Sequence, residues 1–160
     1  MLMSFVASSI AFEARRALDS DGELARFIRD AGHSRLATPE TLASLYDVLG
    51  VETVDDLELL ADDEEYAGLG IRSDEAHALQ LAARVEVLRR PLAEDFGVAG
   101  AAAVASTMYS MGYTDLGMMK ELELNEALKA GLTEEQWRTV TTTRISCTGT
   151  RCRPAAKDEL

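Results

Sequence analysis

Few residues here have both the type and the spacing that chemistry asks for. Asp19, Asp21, Gly22 and Leu24 match the ligand, ligand, turn and apolar positions of a calcium-binding loop. Setting Gly22 on the turn glycine of such a loop puts Ala17 at the first ligand and Ile28 at the bidentate acidic position. Two carboxylates that a hard cation needs are then gone, and a turn followed by a helix start accounts for the same residues. His33 and His77 have no second His or Cys at ligand spacing, and an imidazole without a positioned partner has no assignable metal or acid–base task. Cys147 and Cys152 are too few for a tetrahedral zinc site and are either free thiols or one small-loop disulfide. The stretch DFGVAGAAAV at 95–104 holds Gly97 and Gly100, but lacks the preceding strand and following lysine that shape a phosphate loop. No nucleophile elbow or nucleotide fingerprint occurs, and the many carboxylates fall at solvated helix starts, where acid–base work finds no support. The expectation is a non-enzymatic chain with no catalytic residues, no metal and no cofactor.

What the chain has in quantity is negative charge. Its 28 Asp and Glu against 16 Lys and Arg give a formal net charge of −12 and a pI near 4.5. Such a field repels phosphate backbones and argues against a nucleic-acid partner unless a local basic face overrides it. The acids concentrate between Glu52 and Glu75, where they form either a solvated surface that aids solubility or a docking face for a basic protein. The candidate partner-binding residues are Asp55, Asp56, Glu58, Asp62, Asp63, Glu64 and Glu65. Past Arg138 the sign reverses, because Arg144, Arg151, Arg153 and Lys157 outnumber Asp158 and Glu159.

The elements that must position these residues read as helices. The 160 residues are 47% hydrophobic but only 6% aromatic, so one ordinary core or two small ones must be built from Leu, Val, Ile, Met and Ala, as helices tolerate and sheets rarely prefer. An all-α fold is expected. No run reaches the roughly 18 apolar residues of a membrane span, so the protein is expected to be soluble. Phe5, Val6, Ile10, Ala14 and Leu18 fall at helical spacing and define an N-terminal helical arm over 1–21. A helix follows over 23–31, stopped by Gly32; Thr38 then caps another whose first position is Pro39 and which Gly50 closes. Thr53 caps a short turn with Val54, Leu57 and Leu60 inward. In LLADDEEYAGLGI, at 59–71, Asp62 is a candidate N-cap with Glu65 three residues on, and Gly70 ends the helix. Ser73 can cap a long helix with Ala76, Leu79, Ala83 and Val87 inward, which Pro91 is expected to end after Arg89 and Arg90.

The second half echoes the first. With Gly50 set on Gly112, Gly70 answers Gly131, Ile71 answers Leu132, and Thr133 caps the next helix where Ser73 does. Met108, Met111, Met118 and Met119 read as an adaptable core lining, and Trp137 as the anchor of the final helix. The last stretch, 147–160, is expected to be a polar basic tail.

The order at 59–71 and beyond is an acidic start, a hydrophobic residue, Leu69-Gly70-Ile71, a polar pair and a long helix. It resembles the later half of a sterile alpha motif (SAM) domain, a five-helix protein-interaction module. The resemblance covers 23–90, with 59–71 its specific part. It implies a SAM-like module over 22–90 and, through the echo, a second and more divergent one over 91–146. Glu75 and Ala76 stand where the family usually opens its last helix with Gly-His, and the early tryptophan often found there is absent. SAM modules commonly associate by docking an acidic mid-region onto the basic start of a neighbour's last helix. Here those helices begin with Asp74-Glu75 and Glu134-Glu135, so like charge disfavours that mode. The resemblance therefore implies a scaffold that docks a different, basic protein, or self-association through the basic end of another copy near Arg144, Arg151 and Arg153.

Two alternatives remain open. Paired helices around Leu-Gly-Ile also resemble helix-hairpin-helix nucleic-acid binders, although acids flank the turn where those modules place Lys or Arg. The last four residues read KDEL, the retrieval address of the endoplasmic reticulum lumen, which would make the chain a luminal accessory factor. Against that, MLMSFVASSIAF lacks the basic n-region and cleavage pattern of a signal peptide, so the cytoplasm is the first expectation.

Overall fold

The computed structural model describes residues 22–58, 63–148 and 151–155. The expected N-terminal arm, the calcium-like positions 17–21, Asp62 and the KDEL sequence lie outside the described residues. The chain is mostly helical and divides into two compact units, Met1–Ala83 and Arg84–Leu160, each with its own core.

The first unit opens with α1 (Glu23–Asp30), whose Leu24, Ala25 and Ile28 are buried, and a single 3-10 turn at Ser34–Leu36. In α2 (Pro39–Leu49) proline occupies the first helical position and Thr38 Oγ1 accepts the Thr41 N–H at 3.3 Å, as the sequence predicts. Two short helices, α3 (Val54–Glu58) and α4 (Asp63–Gly68), lead to α5 (Ser73–Glu94). Val54, Leu57, Tyr66, Ile71, Ala76, Leu79 and Ala83 join Leu24, Ile28, Leu36, Leu42 and Leu45 in one core. The stop after α4 is built as expected. Gly70 sits at φ +71, its N–H reaches the Ala67 carbonyl at 3.0 Å, and the N–H of buried Ile71 reaches back to Tyr66 O at 3.1 Å. The start of α5 lies one residue before the expected cap: Ala76 N–H bonds Arg72 O at 2.9 Å, so Arg72 closes the helix start and Ser73 is already helical.

In the second unit the sequence expectation for Pro91 is overturned. The helix does not end at Arg90; it runs through the proline to Glu94. Pro91 offers no N–H and its ring crowds the preceding turn, a cost of roughly 3 kcal/mol. Continuing the helix, however, carries Leu92 and, just beyond it, Val98 into the second core, and each apolar side chain so buried contributes roughly 2 kcal/mol. Hydrogen bonding resumes at once, from Asp95 N–H to Pro91 O at 2.9 Å and from Val98 N–H to Leu92 O at 2.8 Å. Arg89 and Arg90, expected to face the carboxyl end of the dipole, lie inside the helix and pair with Glu86 instead. Three further helices follow: α6 (Ala101–Ser110), then α7 (Leu124–Ala130) and α8 (Glu134–Thr142), with a 3-10 turn at Met118–Glu121 between α6 and α7. Met108 and Met119 are core residues, whereas Met118 is exposed. Trp137 anchors α8 as expected, donating from Nε1 to Leu122 O at 2.7 Å. Thr133 and Gln136 form a capping box at its start. Gly131 sits at φ +98, and a Cβ there would meet Val104 Cγ2 at 3.6 Å.

The expected polar tail is also corrected. Strands β1 (Ile145–Thr148) and β2 (Arg151–Pro154) pair antiparallel, with Cys147 opposite Cys152. Cys152 is disulfide-bonded, and Cys147 is the only other cysteine in the sequence. Ile145 and Cys152 pack on the second core, which gives this segment an apolar anchor that a free tail would lack. Among the described residues no helix is long and apolar enough to cross a membrane.

The two glycines of α4 and its stop should respond oppositely to alanine. Gly70→Ala should destabilise the first unit by about 1–2 kcal/mol, all of it backbone strain because nothing lies within 4 Å of the added Cβ. Gly68→Ala, inside the helix and equally uncrowded, should stabilise it by roughly 0.5 kcal/mol. Urea unfolding of both variants checks the pair of signs.

Candidate functional site, an acidic face and a buried carboxylate

The acidic segment is carried by α3 and α4. Val54 and Leu57 turn inward at helical spacing and leave Asp55 and Asp56 half-exposed; Tyr66 is 1% exposed while Glu65 beside it faces solvent. Glu58, Asp63 and Glu64 belong to the same two helices. These carboxylates are not equivalent. One oxygen of Asp56 accepts the Glu52 N–H at 3.0 Å, the Thr53 N–H at 2.7 Å and the Thr53 hydroxyl at 2.8 Å, so it ties down the start of α3. Asp56 therefore spends one oxygen on the fold, and the Thr53-x-x-Asp56 spacing is the signal that marks it.

The residue that sequence reasoning missed is Glu75. Read as one more solvated acid at a helix start, it is 4% exposed. The Arg35 guanidinium grips both its oxygens: Nε donates to Oε1 at 2.9 Å and Nη2 donates to Oε2. The same Nη2 reaches the Gly70 carbonyl at 3.3 Å. From its own helix start, Arg72 adds its backbone N–H to Oε2 at 3.1 Å and Nη2 to Oε1 at 3.2 Å. The Arg35 hydrogen bond, followed by those of Arg72, holds the Glu75 carboxyl at about 2, against the opposing pull of burial. Arg35 and Arg72 keep 54% and 67% of their side-chain surface in solvent. The start of α5 thus carries two arginines beside Asp74 and Glu75, and the like charge expected there is neutralised. At α8, Glu134 pairs with Arg138 at 2.7 Å.

In the second unit, Tyr113 donates its hydroxyl to Glu126 Oε2 at 2.6 Å, and that bond pushes its pKa up to about 12. Exposed His77 has Nδ1 2.7 Å from its own helix's Ser73 carbonyl. Among the described residues no group of three or more His, Cys, Asp or Glu could hold a metal ion. Comparison with known proteins finds no matching family model, curated protein or solved structure. The functional reading therefore rests on the chain's own residues.

The Glu75 pair sets a pH dependence of known sign. Its folded pKa lies below the unfolded value of 4.5, so its contribution is whole above about 4.5 and is lost as pH falls through about 2. Glu75→Gln should be less stable than the parent at neutral pH and should lose the part of the acid slope that lies between those values. Urea unfolding of both proteins across that range measures it.

Proposed function

We propose that the first unit is a SAM-like protein-interaction module, the second unit its divergent repeat, and the acidic segment 55–65 the face that docks a basic protein. One observation carries this reading. Among the described residues the fold buries one carboxylate, Glu75, and supplies it with arginines, while exposed Glu65 and half-exposed Asp55 stay outside the core formed by Val54, Leu57 and Tyr66. Charges kept in water are what the polar rim of a docking surface needs. The tandem reading draws support from the left-handed glycines that end matching helices, Gly50 and Gly70 in one unit, Gly112 and Gly131 in the other. A nucleic-acid role is opposed by the net charge of −12.

A second reading, an accessory factor of an oxidising compartment such as the endoplasmic reticulum lumen, is favoured by the disulfide at Cys152, since such bonds persist where thiols are not kept reduced. Trapping thiols with an alkylating reagent at the moment of cell lysis separates it from the cytoplasmic reading: a protected pair supports it and an alkylated pair removes it.

The docking face is tested by reversing Asp62, Asp63 and Glu65 to lysine and titrating a labelled arginine-rich peptide at low and moderate salt. Affinity should fall at least about tenfold, roughly 1.4 kcal/mol, and the salt dependence should shrink with it. Equal binding by the parent and the variant would discard this face.

A further inference from the structure

The last described segment joins two elements that are weak on their own. Strands β1 and β2 pair only with each other, and a lone two-stranded hairpin has little stability in water. Among its described side chains, Ile145 and Cys152 pack against the second core, and both are half-buried rather than enclosed. The helix that leads into it is weak at the same end. From Thr139 to Thr143 every residue is β-branched, which costs side-chain freedom in a helix, and of these only Val140 is buried. The hydroxyls of Thr139, Thr141 and Thr142 donate back to the carbonyls of Glu135, Trp137 and Arg138 at 2.8, 2.8 and 2.7 Å, a pattern that competes with the helix ladder. Across the hairpin Cys147 stands opposite Cys152, and the disulfide at Cys152 closes the two strands covalently.

We infer that Cys147 and Cys152 form a reversible thiol–disulfide site whose oxidation state decides whether the hairpin stays docked on the second core. The site belongs to the second unit and stands apart from the docking face of the first. With the bond intact, the strands stay together even when the hairpin lifts off, so redocking has little new chain to order. Without it, lifting off also lets the strands separate, and that added freedom competes with the modest apolar contact of Ile145 and Cys152. The end of α8 loosens with the hairpin, because its β-branched residues lose the structure that follows them. The chemistry is exchange with a dithiol. Its thiolate attacks one sulfur of the bond, and the other cysteine leaves as a thiolate and takes up a proton. The second thiol of the reductant then closes the reductant's own disulfide and releases the first cysteine as a thiol. Two electrons and two protons pass to the pair, and a small-molecule disulfide returns it to the closed state by the reverse steps.

Amide hydrogen exchange of the full chain, oxidised and then reduced with excess dithiothreitol, tests this residue by residue, with thiol alkylation reporting how much of the pair is reduced. In the oxidised protein the Thr143 amide, bonded to Thr139 O at 3.0 Å, and the Ala155 amide, bonded to Arg144 O at 2.7 Å, should be protected. Reduction should speed exchange at both at least about tenfold and leave α6, with its buried Val104, Ala105 and Met108, unchanged. A small-molecule disulfide should restore the protection. Cys147→Ser with Cys152→Ser should exchange as the reduced parent does and should not respond to dithiothreitol. Equal exchange at Thr143 and Ala155 in the two states would overturn the inference, since the bond would then be an inert staple. Loss of protection in α6 together with the hairpin would also overturn it, since the bond would then hold the whole second unit. So would a bond that excess dithiothreitol leaves closed in the folded protein.

Discussion

A carboxylate taken out of water has to be met by donors, and Glu75 is met by two arginines from different parts of the chain. Arg35 arrives from the 3-10 turn at Ser34–Leu36 and holds both the Glu75 carboxylate and the Gly70 carbonyl. One guanidinium thereby ties together the turn after α1, the stop after α4 and the start of α5. The apolar core of the first unit fixes which residues lie inside. This pair fixes the angle at which the chain leaves α4 and enters the long helix, because it binds the residues on either side of that turn.

The same arrangement separates the acids into two kinds. Glu75 and Asp56 serve the fold, one by closing a helix start onto a distant arginine, the other by holding the Glu52 and Thr53 amides. Glu65 faces solvent.

Local chemistry was legible in the sequence. Thr38 before Pro39, Thr133 three residues before Gln136, and glycines at 70 and 131 followed by Ile71 and Leu132 each announce a helix end through interactions within a turn of the chain. What was not legible depended on partners far away. Nothing near Glu75 points to Arg35, 40 positions earlier. Pro91 reads as a stop by its own stereochemistry, and only the burial of Leu92 in a core assembled from later helices shows why the helix continues. The hairpin did have a signal, alternation of Ile145 and Cys147 with Ser146 and Thr148 and two residues led by Gly149 before Arg151, but its polarity reads equally as a tail. For the candidate site, the acidic run itself was plain from composition, whereas the removal of Glu75 from it required the tertiary contact.

The central claim is that Arg35 and Glu75 act as one unit. Equilibrium urea unfolding of Arg35→Met, Glu75→Gln and the double variant at neutral pH tests it most directly. Arg35→Met alone leaves a buried carboxylate short of its main partner, so the account predicts that adding Glu75→Gln costs nothing further and leaves the double variant at least as stable as Arg35→Met. Losses that simply add would contradict it.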